Sequence, residues 1–431
     1  YDISACLVGS EMCIRDRSKK GIRGPSVCLG PSEGMSGIKE NTGNLTIEPW
    51  TPPKETQFSD QVDWAPLYSL DLSLITGEGF SQVPEKVVKE LGDAFANVGF
   101  IYAENHGLSY DEALRQYAIA QYTFDKVNDQ DKKDFTADIT NSGSFCGYKQ
   151  MGHWKIGDVF DRIEQWNFYS MAYEGELRKK KFPESIHPLL DEIHEFARFN
   201  HNVIVRKIFS ALSLVLKVPY DYFWNLSRKY ETEGDDFLRY MMIHRPPPED
   251  DVESKGVRIQ GHTDFGSLTV LWSQPIASLQ VLMKDNVWRT VRHKPNALVV
   301  NLGDSLYFLS GGYLQATIHR VVAPPEDQIQ YRRLNVIYFS KFDNDTKLLP
   351  IEESEVAQEA SKHREFWKER ILNGEPVPTA WEWNTLRVSR YGQQHSKLGA
   401  DGHHHEIIAG HDVTLYLSLI HISEPTRQAE I

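Results

Sequence analysis

Three residues in the second half of the chain carry side chains suited to a metal site. His262 and Asp264 are separated by one residue in Gly-His-Thr-Asp-Phe-Gly, and His319 follows in Thr-Ile-His-Arg-Val-Val. Two imidazoles and one carboxylate can take three neighbouring corners of an octahedral ion and leave the other three free. That open arrangement suits iron(II) and dioxygen chemistry. The three residues are therefore our candidate metal ligands and catalytic residues.

Each candidate also has an ordinary structural explanation. A surface hydrogen bond would account for His262 and Asp264, and a backbone partner in the core would account for His319, because 16 histidines produce such spacings by accident. The context favours the metal site, since an Asn-Leu-Gly-Asp turn (301–304) lies between the candidates and an arginine follows on a later strand. The planar fork of Arg333 can clamp a carboxylate, although a salt bridge at a sheet edge is the alternative. Its neighbour Arg332 is interpreted as a surface residue.

Short β-rich segments surround these residues. After Leu238, apolar and β-branched runs recur about every ten residues with turn signals between them. Eight such strands fit a double-sheet jelly roll, in which ligands on stiff strands lie beneath loops at the mouth. The predicted strands are Arg258 to His262, Leu268 to Trp272, Leu279 to Met283, Val287 to Val291, Ala297 to Asn301, Ser305 to Leu309, Thr317 to Val322 and Leu334 to Ser340.

The chain before Leu238 has a more helical pattern. Apolar residues at helical spacing predict a helical layer packed against the sheet. Its predicted elements are a strand over Leu67 to Leu74, a helix beginning at Pro84, a buried strand within Gly99 to Gly107, a helix from Tyr110 to about Val127 and a long helix over Pro188 to Lys217. The aromatic and glycine-rich stretch Ser142 to Trp154 is either a pocket wall or a packed loop.

Two further segments follow the predicted jelly roll. The pattern predicts a helix over Ile351 to Leu372 and a last packed segment over Ala380 to Tyr391. His403 to His405 are interpreted as a polar stretch that faces solvent. The whole pattern predicts an α+β fold, with a double-stranded β-helix (jelly roll) core, an N-terminal helical layer and a C-terminal helix.

The motifs resemble those of a known enzyme family. Gly-His-Thr-Asp-Phe-Gly-Ser-Leu-Thr, Leu-Gln-Val, Asn-Leu-Gly-Asp and the His-Arg-Val around His319 are similar to the iron(II)/2-oxoglutarate-dependent dioxygenases of the isopenicillin N synthase-like superfamily, especially fungal members. Asn-Val-Gly-Phe-Ile-Tyr-Ala-Glu-Asn-His-Gly (97–107) is similar to that superfamily's helical N-terminal domain. The likeness extends from about Asp63 to Tyr416.

The resemblance implies a chemistry and a set of roles. His262, Asp264 and His319 become iron(II) ligands, and Arg333 becomes the anchor for the C5 carboxylate of 2-oxoglutarate. With O2 as the oxidant, and ascorbate as a stimulating reductant, such enzymes hydroxylate, desaturate or cyclise a small organic molecule and release succinate and CO2. Asn335 stands where the family often has serine, and its amide could also contact the co-substrate.

One further departure and two rival functions remain open. The family often has Tyr-Pro ahead of the first iron histidine, whereas this chain has Met242-Ile-His-Arg-Pro246, so that His244 or Arg245 could take that contact. One rival is an oxidase of the same fold that does not use 2-oxoglutarate, as isopenicillin N synthase does not. The other is an inactive jelly-roll binding protein.

Composition limits the partners. The net charge of −13 disfavours nucleic acid and anionic membranes, and no apolar run approaches the length of about 20 residues that crosses a bilayer. Four cysteines without zinc-type pairs or a disulfide framework indicate a cytoplasmic protein. We therefore expect a small-molecule substrate, with no nucleic acid or membrane partner.

Both ends of the chain resemble translated adapter sequence from library preparation. One set of codons that can encode Glu11 to Arg17 has a reverse complement that encodes Leu-Ser-Leu-Ile-His-Ile-Ser, the residues at 417–423, which two unrelated natural tails would match only by accident. We therefore expect the natural protein to begin near Met35 and end near Tyr416. The predicted regions are 1–17 and 417–431 as artefacts, 18–62 as a lead-in, 63–234 as the helical region, 235–345 as the jelly roll and 346–416 as a C-terminal helical extension.

Overall fold

The computed structural model describes residues 45–156, 158–170, 180–227, 230, 234–391, 397–399 and 404–415. The predicted artefact segments, the first part of the lead-in and His403 lie outside the described residues. The strands are β1 (Tyr68–Asp71), β2 (Phe100–Glu104), β3 (Gly147–Lys149), β4 (Lys155–Ile156), β5 (Val159–Phe160), β6 (Ile163–Tyr169), β7 (Phe237–Ile243), β8 (Val257–His262), β9 (Leu268–Trp272), β10 (Leu279–Leu282), β11 (Trp288–Thr290), β12 (Leu298–Leu302), β13 (His319–Val322), β14 (Arg333–Ser340), β15 (Lys397–Leu398), β16 (His404–Ile408) and β17 (His411–Leu415).

The α-helices among the described residues are mostly short. They are α1 (Glu85–Asn97), α2 (Tyr110–Asp125), α3 (Asp129–Asp134), α4 (Ile139–Ser142), α5 (Leu190–Phe199), α6 (Arg206–Val215), α7 (Tyr222–Asn225), α8 (Pro248–Glu253), α9 (Asp304–Leu309), α10 (Glu355–Ser361), α11 (Lys368–Leu372) and α12 (Ala380–Arg390). A π-helical turn, Asn200–Val205, joins α5 to α6 into one rod. No helix in the described part of the chain is long and apolar enough to cross a membrane.

Two facing sheets form the core of the jelly roll. The larger sheet has the strand order β1-β2-β12-β9-β14-β7-β6-β3, and the smaller has the order β11-β10-β13-β8. Apolar residues from both sheets pack in one buried cluster, including Val299, Ile337 and Met241 from the larger sheet and Val281 and Val321 from the smaller. Because side chains alternate along a strand, the opposite face of the larger sheet must be covered by another layer.

Helices supply that second layer. Tyr117 of α2 donates a hydrogen bond to the Trp272 carbonyl at the end of β9, over 2.7 Å. In the π-helical turn, Asn200 accepts a hydrogen bond from the Trp272 indole over 3.1 Å. A capping box between Ser109 and Glu112 begins α2 at the position that the sequence predicted. The α+β prediction, with a jelly-roll core, an N-terminal helical layer and a C-terminal helix, is confirmed.

Most predicted elements are confirmed within a residue or two, but several predictions were incomplete or wrong. The strand predicted over Leu67 to Leu74 ends at Asp71, because Leu72–Leu74 forms a 3-10 helix. Ser305 to Leu309 is not a strand, because it lies within helix α9. The predicted helix over Ile351 to Leu372 is two helices, interrupted where Trp367 adopts the left-handed backbone region with φ of 58°. Strands β6 and β7 were not predicted, although both lie near the centre of the substrate-facing wall described below.

The contacts around Gly303 explain why α9 is a helix. Gly303 is extended, with φ of −103° and ψ of 177°, and serves as the residue before the first turn. The first two backbone N–H groups of the helix have partners outside it. Asp304 N–H donates to the Asp264 carbonyl over 2.8 Å, and Ser305 N–H donates to the Gly266 carbonyl over 3.1 Å. A helix N-terminus needs such partners outside the helix, and here the loop that carries Asp264 and Gly266 provides them.

Candidate metal centre

The two motifs of the predicted metal site meet at the end of the smaller sheet. His319 at the start of β13 is the direct cross-strand partner of His262 at the end of β8, and their ring centroids are 4.4 Å apart. Asp264 follows β8; its Oδ1 lies 3.9 Å from Nε2 of His262, and its Oδ2 lies 3.9 Å from Nε2 of His319. The ligand atoms of the three residues all lie within 4.8 Å of one another. The structure therefore brings together all three candidate ligands.

Hydrogen bonds orient each ligand toward the shared point. Nδ1 of His262 lies 2.8 Å from the Gln260 carbonyl, and Nδ1 of His319 lies 3.1 Å from the Thr317 carbonyl. A carbonyl can only accept, so Nδ1 carries the proton in each ring and the lone pair is on Nε2. Both Nε2 atoms are the ones that face the carboxylate of Asp264.

The carboxylate is held in a similar way. Oδ2 of Asp264 accepts hydrogen bonds from the Thr269 hydroxyl (2.6 Å) and the Asn301 amide (2.7 Å). Burial raises the pKa of Asp264, but His319, His262 and these hydrogen bonds outweigh it and leave the pKa below its ordinary value. Burial, together with the neighbouring His319, lowers the pKa of His262 to about 4. At neutral pH the site thus offers a carboxylate and a neutral imidazole, a donor set that fits iron(II).

The Asn-Leu-Gly-Asp turn clamps the loop that carries Asp264. Asn301 bonds the carboxylate directly, and the Gly303 amide donates to the Ser267 carbonyl over 2.8 Å. A Cβ on Gly303 would stand 2.3 Å from the Gly266 carbonyl oxygen, closer than any side chain can approach. The turn is therefore part of the support of the metal site, since the two backbones can approach this closely only with glycine.

The predicted carboxylate clamp lies on the other wall of the same cavity. Arg333 is 7% exposed, and burial lowers its pKa to about 10, so that it remains a cation at neutral pH. Its guanidinium donates to the Asn335 side-chain oxygen. The amide nitrogen of Asn335 donates to the backbone carbonyls of Met241 (3.2 Å) and Arg333 (3.1 Å). Asn335 was expected to contact the co-substrate, but its two amide hydrogens are already directed at the backbone.

His244 and Arg245 do not join this cavity. His244 lies 2.8 Å from Glu164 on the face of β7 that points away from the metal, and neither residue lines the cavity around the ligands. The missing Tyr-Pro contact is therefore not replaced by either residue in this structure.

Three neighbouring strands build the wall that carries Arg333. Their pairing aligns residues in four rows that share one face, because side chains two apart on a strand point the same way. From the Arg333 end, the rows of β14, β7 and β6 are Arg333, Ile243, Ile163; Asn335, Met241, Gln165; Ile337, Arg239, Asn167; and Phe339, Phe237, Tyr169. The cavity in front of them has a volume of about 160 Å³, roughly ten times the smallest space that holds a water molecule.

Segments outside the jelly roll complete the cavity. Phe145 and Trp154 line it, which confirms the pocket-wall interpretation of Ser142 to Trp154. Asn384 and Val388 of α12, together with Tyr391 directly after it, form part of the opposite side. This contribution was missed, because Ala380 to Tyr391 was predicted only as a packed segment.

Helix α12 is fastened to the metal loop by polar contacts. The Trp383 indole donates to Asp304 over 3.1 Å, and Arg387 lies 3.5 Å from the same carboxylate. Burial raises the pKa of Asp304, and Arg387 opposes this shift. Arg387 also approaches the Thr263 hydroxyl, between the first two metal ligands, at 3.4 Å. These contacts fix the helix over the mouth of the cavity.

Comparison with known proteins identifies the family. Residues 237–341 match the 2OG-Fe(II) oxygenase superfamily, and residues 68–188 match the family described as non-haem dioxygenase in morphine synthesis N-terminal. The chain belongs to the 2OG-Fe(II) oxygenase superfamily. The first match spans β7 to the residue after β14 and includes all three candidate ligands and Arg333.

Individual relatives agree with this assignment. A UPF0676 protein of Schizosaccharomyces pombe is 29% identical over 63% of this chain and 83% of its own length. A homoarginine-6-hydroxylase of Oryza sativa subsp. japonica is 27% identical over 68% of this chain and 88% of its own length. The crystal structure of a full-length Neurospora crassa protein in complex with alpha-KG shares the fold, with a TM-score of 0.61 over 79% of this chain and 100% of that chain, at 18% identity.

This 2OG-Fe(II) oxygenase is a non-haem iron(II)- and 2-oxoglutarate-dependent dioxygenase of the isopenicillin N synthase-like type. Its cofactors are Fe(II), 2-oxoglutarate and O2, as the resemblance implied. The family therefore favours the oxygenase over both the oxidase that does not use 2-oxoglutarate and the inactive binding protein.

Proposed function

We propose that His262, Asp264 and His319 hold the iron(II) of this dioxygenase and that Arg333 binds the C5 carboxylate of 2-oxoglutarate. The observation that carries this assignment is the convergence of two free Nε2 atoms and one carboxylate within 4.8 Å in a buried cavity. Fixed tautomers and a fixed carboxylate reduce the reorganisation that metal binding would require.

Asn335 acts through Arg333 in this proposal. Its side-chain oxygen accepts from the guanidinium, and its amide hydrogens are held by the backbone of β7 and β14. A guanidinium that is oriented before the co-substrate arrives loses less side-chain freedom on binding. Asn335 is thereby a positioning residue for Arg333.

The chain's own residues orient the reactants and exclude water. Iron(II), when bound with 2-oxoglutarate, supplies the oxidation of an unactivated C–H bond by O2, with release of succinate and CO2. Phe339, Ile337 and Met241 present apolar surface beside the metal ligands, while Tyr391 and Val388 cover them from α12. An apolar enclosure of this kind protects a reactive centre from side reactions.

We propose hydroxylation of a small organic molecule as the reaction, with desaturation or ring closure as variants of the same chemistry. The cavity volume of about 160 Å³ and its mostly apolar wall support a small substrate. We also propose the division into a helical region (63–234), a jelly roll (235–345) and a C-terminal extension (346–416). In the structure, β3 and β6 from the first region pair into the sheet of the second.

Replacing His319 by alanine tests the ligand assignment. The variant removes one of three protein ligands, so we expect iron to fall from one equivalent to near zero and 2-oxoglutarate-dependent succinate formation to disappear. The matched control is His363→Ala, which removes an exposed histidine of the C-terminal region. A His319→Ala protein that retains iron like the control would refute the assignment.

A further inference from the structure

A second buried cation faces the same cavity. Arg239 is the third of the seven residues of β7 and is 9% exposed. It lies in the row between Ile337 of β14 and Asn167 of β6, on the face that lines the cavity. It stands out in sequence as the only charged residue of the run Phe-Leu-Arg-Tyr-Met-Met-Ile, in which every position is buried.

Within the part of the chain that the structure describes, no carboxylate forms a salt bridge with Arg239. Nε donates to the Asn167 side-chain oxygen over 2.6 Å. The guanidinium lies over three phenyl rings, with its carbon 4.7 Å from the centroid of Phe145, 5.1 Å from that of Phe237 and 4.9 Å from that of Phe339. One terminal nitrogen, NH2, is buried and has no hydrogen-bond partner among the described residues. Burial lowers the pKa of Arg239 to about 10, so that it is still charged at neutral pH.

Other buried cations in or next to the cavity wall have acidic partners; Arg258 and Lys341 line the cavity, and Lys149 on β3 pairs with Gln165 of β6, which lines it. Lys149 pairs with Asp161, Lys341 with Asp235 and Arg258 with Asp251. Within the described residues, Arg239 and Arg333 are the buried cations of this wall for which no such pair is found. A buried charge without a counter-charge is costly, so a protein that retains one commonly uses it for a ligand.

The co-substrate accounts for only one of these two arginines. Ile337, the partner of Arg239, is four residues from Arg333 on β14, which is roughly 13 Å along the strand. The two guanidinium groups therefore line one cavity at positions that are well separated along the strand direction. Asp264 is near enough to Arg239 to act on it electrostatically, which places this cation on the metal side of the wall.

We propose that Arg239 binds the substrate and that the substrate is a small aromatic carboxylic acid. Its carboxylate would fill the free hydrogen-bonding position at NH2 and neutralise the buried charge, as charge-assisted hydrogen bonds do. Its flat apolar body would lie among the rings of Phe145, Phe339 and Tyr391, which line the same part of the cavity. This inference rests on the proposed function, because it assumes that 2-oxoglutarate occupies the end of the cavity at Arg333.

The test compares acids with their neutral amides. Benzoate, phenylacetate and 3-phenylpropanoate are each titrated beside the corresponding primary amide into the iron(II) protein with 2-oxoglutarate and without oxygen. Isothermal titration gives the dissociation constants. At least one acid is expected to bind about tenfold more tightly than its amide, because a hydrogen bond to a second charged group contributes more than one to a neutral group.

Variants then assign the preference to Arg239. Arg239→Met is expected to bind acid and amide about equally, and Arg239→Lys is expected to keep part of the preference because it keeps the charge. Arg332→Met, which removes an exposed arginine paired with Asp125, should behave like the wild type. Binding of 2-oxoglutarate, followed by its visible charge-transfer band, should stay within about twofold in all of them, which also shows that each variant is folded.

Separate results overturn the two proposals. Equal binding of acids and amides by the wild type, an undiminished preference in Arg239→Met, or no binding of any acid up to about 10 mM would each refute the acid substrate. These outcomes leave the 2-oxoglutarate band intact. Loss of that band in Arg239→Met, but not in Arg239→Lys, would instead show that Arg239 holds the co-substrate and would overturn the assignment of Arg333.

Discussion

Replacing Arg333 by methionine tests the co-substrate clamp most directly. The guanidinium is buried, is oriented by Asn335 and has no acidic partner among the described residues. Methionine fills a similar volume but has neither charge nor donors. The C5 carboxylate of 2-oxoglutarate would then enter a buried site without a counter-charge, while the iron ligands remain unchanged.

The structure sets the expected magnitude. Truncating one partner of a buried, hydrogen-bonded charge pair costs about 2 to 5 kcal/mol. Because Arg333 is already desolvated and oriented, ordering its side chain on binding costs little free energy. We therefore expect Arg333→Met to lose about 3 kcal/mol of the binding free energy of 2-oxoglutarate. This corresponds to a loss of affinity for 2-oxoglutarate of about 100-fold. Arg333→Lys keeps the charge but not the planar fork, so we expect a loss of about tenfold.

The assay is an anaerobic titration of the iron(II) protein with 2-oxoglutarate, followed by its visible charge-transfer band. Arg332→Met is the matched control, because Arg332 is the adjacent residue and its bidentate pair with Asp125 is partly exposed. Iron content and melting temperature establish that each variant is folded. If Arg333→Met binds 2-oxoglutarate within about threefold of the control, the clamp lies elsewhere and our assignment is wrong.

Two further predictions concern the stability of the fold. Burial raises the pKa of Glu164, but hydrogen bonds from three side chains outweigh it and lower the pKa from 4.5 to about 2. The ionised Glu164 thus stabilises the fold by roughly 3 kcal/mol well above pH 4.5, and this contribution is lost as the pH falls toward 2. Between pH 6 and pH 3, the free energy of unfolding in urea should therefore fall by about 2 kcal/mol less in Glu164→Gln than in the wild type. An identical pH dependence of the two proteins would contradict this. Gly303→Ala should destabilise by about 2 kcal/mol or more and weaken iron binding, because its Cβ would meet the Gly266 carbonyl at 2.3 Å. Gly374→Ala, which has open space but a φ of +72°, should cost only about 1 kcal/mol, and equal unfolding energies for the two variants would count against the steric explanation.

Local sequence was sufficient where a motif spans few residues. The His-x-Asp pair, the later histidine and the Asn-Leu-Gly-Asp turn predicted the three residues that converge, because β8, β12 and β13 are short apolar or β-branched runs whose ends can be located from turn residues. Ser305 to Leu309 was misassigned as a strand, since its run of four apolar residues after Ser305 fits a strand or a helix equally well. The helix is favoured by backbone carbonyls of the loop that carries Asp264, which is distant in sequence, because they accept hydrogen bonds from the first N–H groups of the helix.

The residues that shape the cavity beyond the iron depend on strand register. Arg239 lies in an apolar run that is buried on both faces, so no alternation in sequence shows which side chains point inward. Only the pairing of β7 with β14 and β6 places it opposite Ile337 and Asn167, on the wall that carries Arg333. The contribution of α12 likewise depends on contacts with Asp304 and Thr263, which are far from it in sequence.

The sequence by itself therefore determined the metal chemistry, the jelly-roll core and the enzyme family, because ligand types, their spacing and the strand pattern are local properties of the chain. The tertiary structure decided which cations have no acidic partner among the described residues, where Asn335 directs its amide and which segments enclose the cavity. Those features depend on register and burial, which arise only when strands and helices that are far apart in sequence pack together.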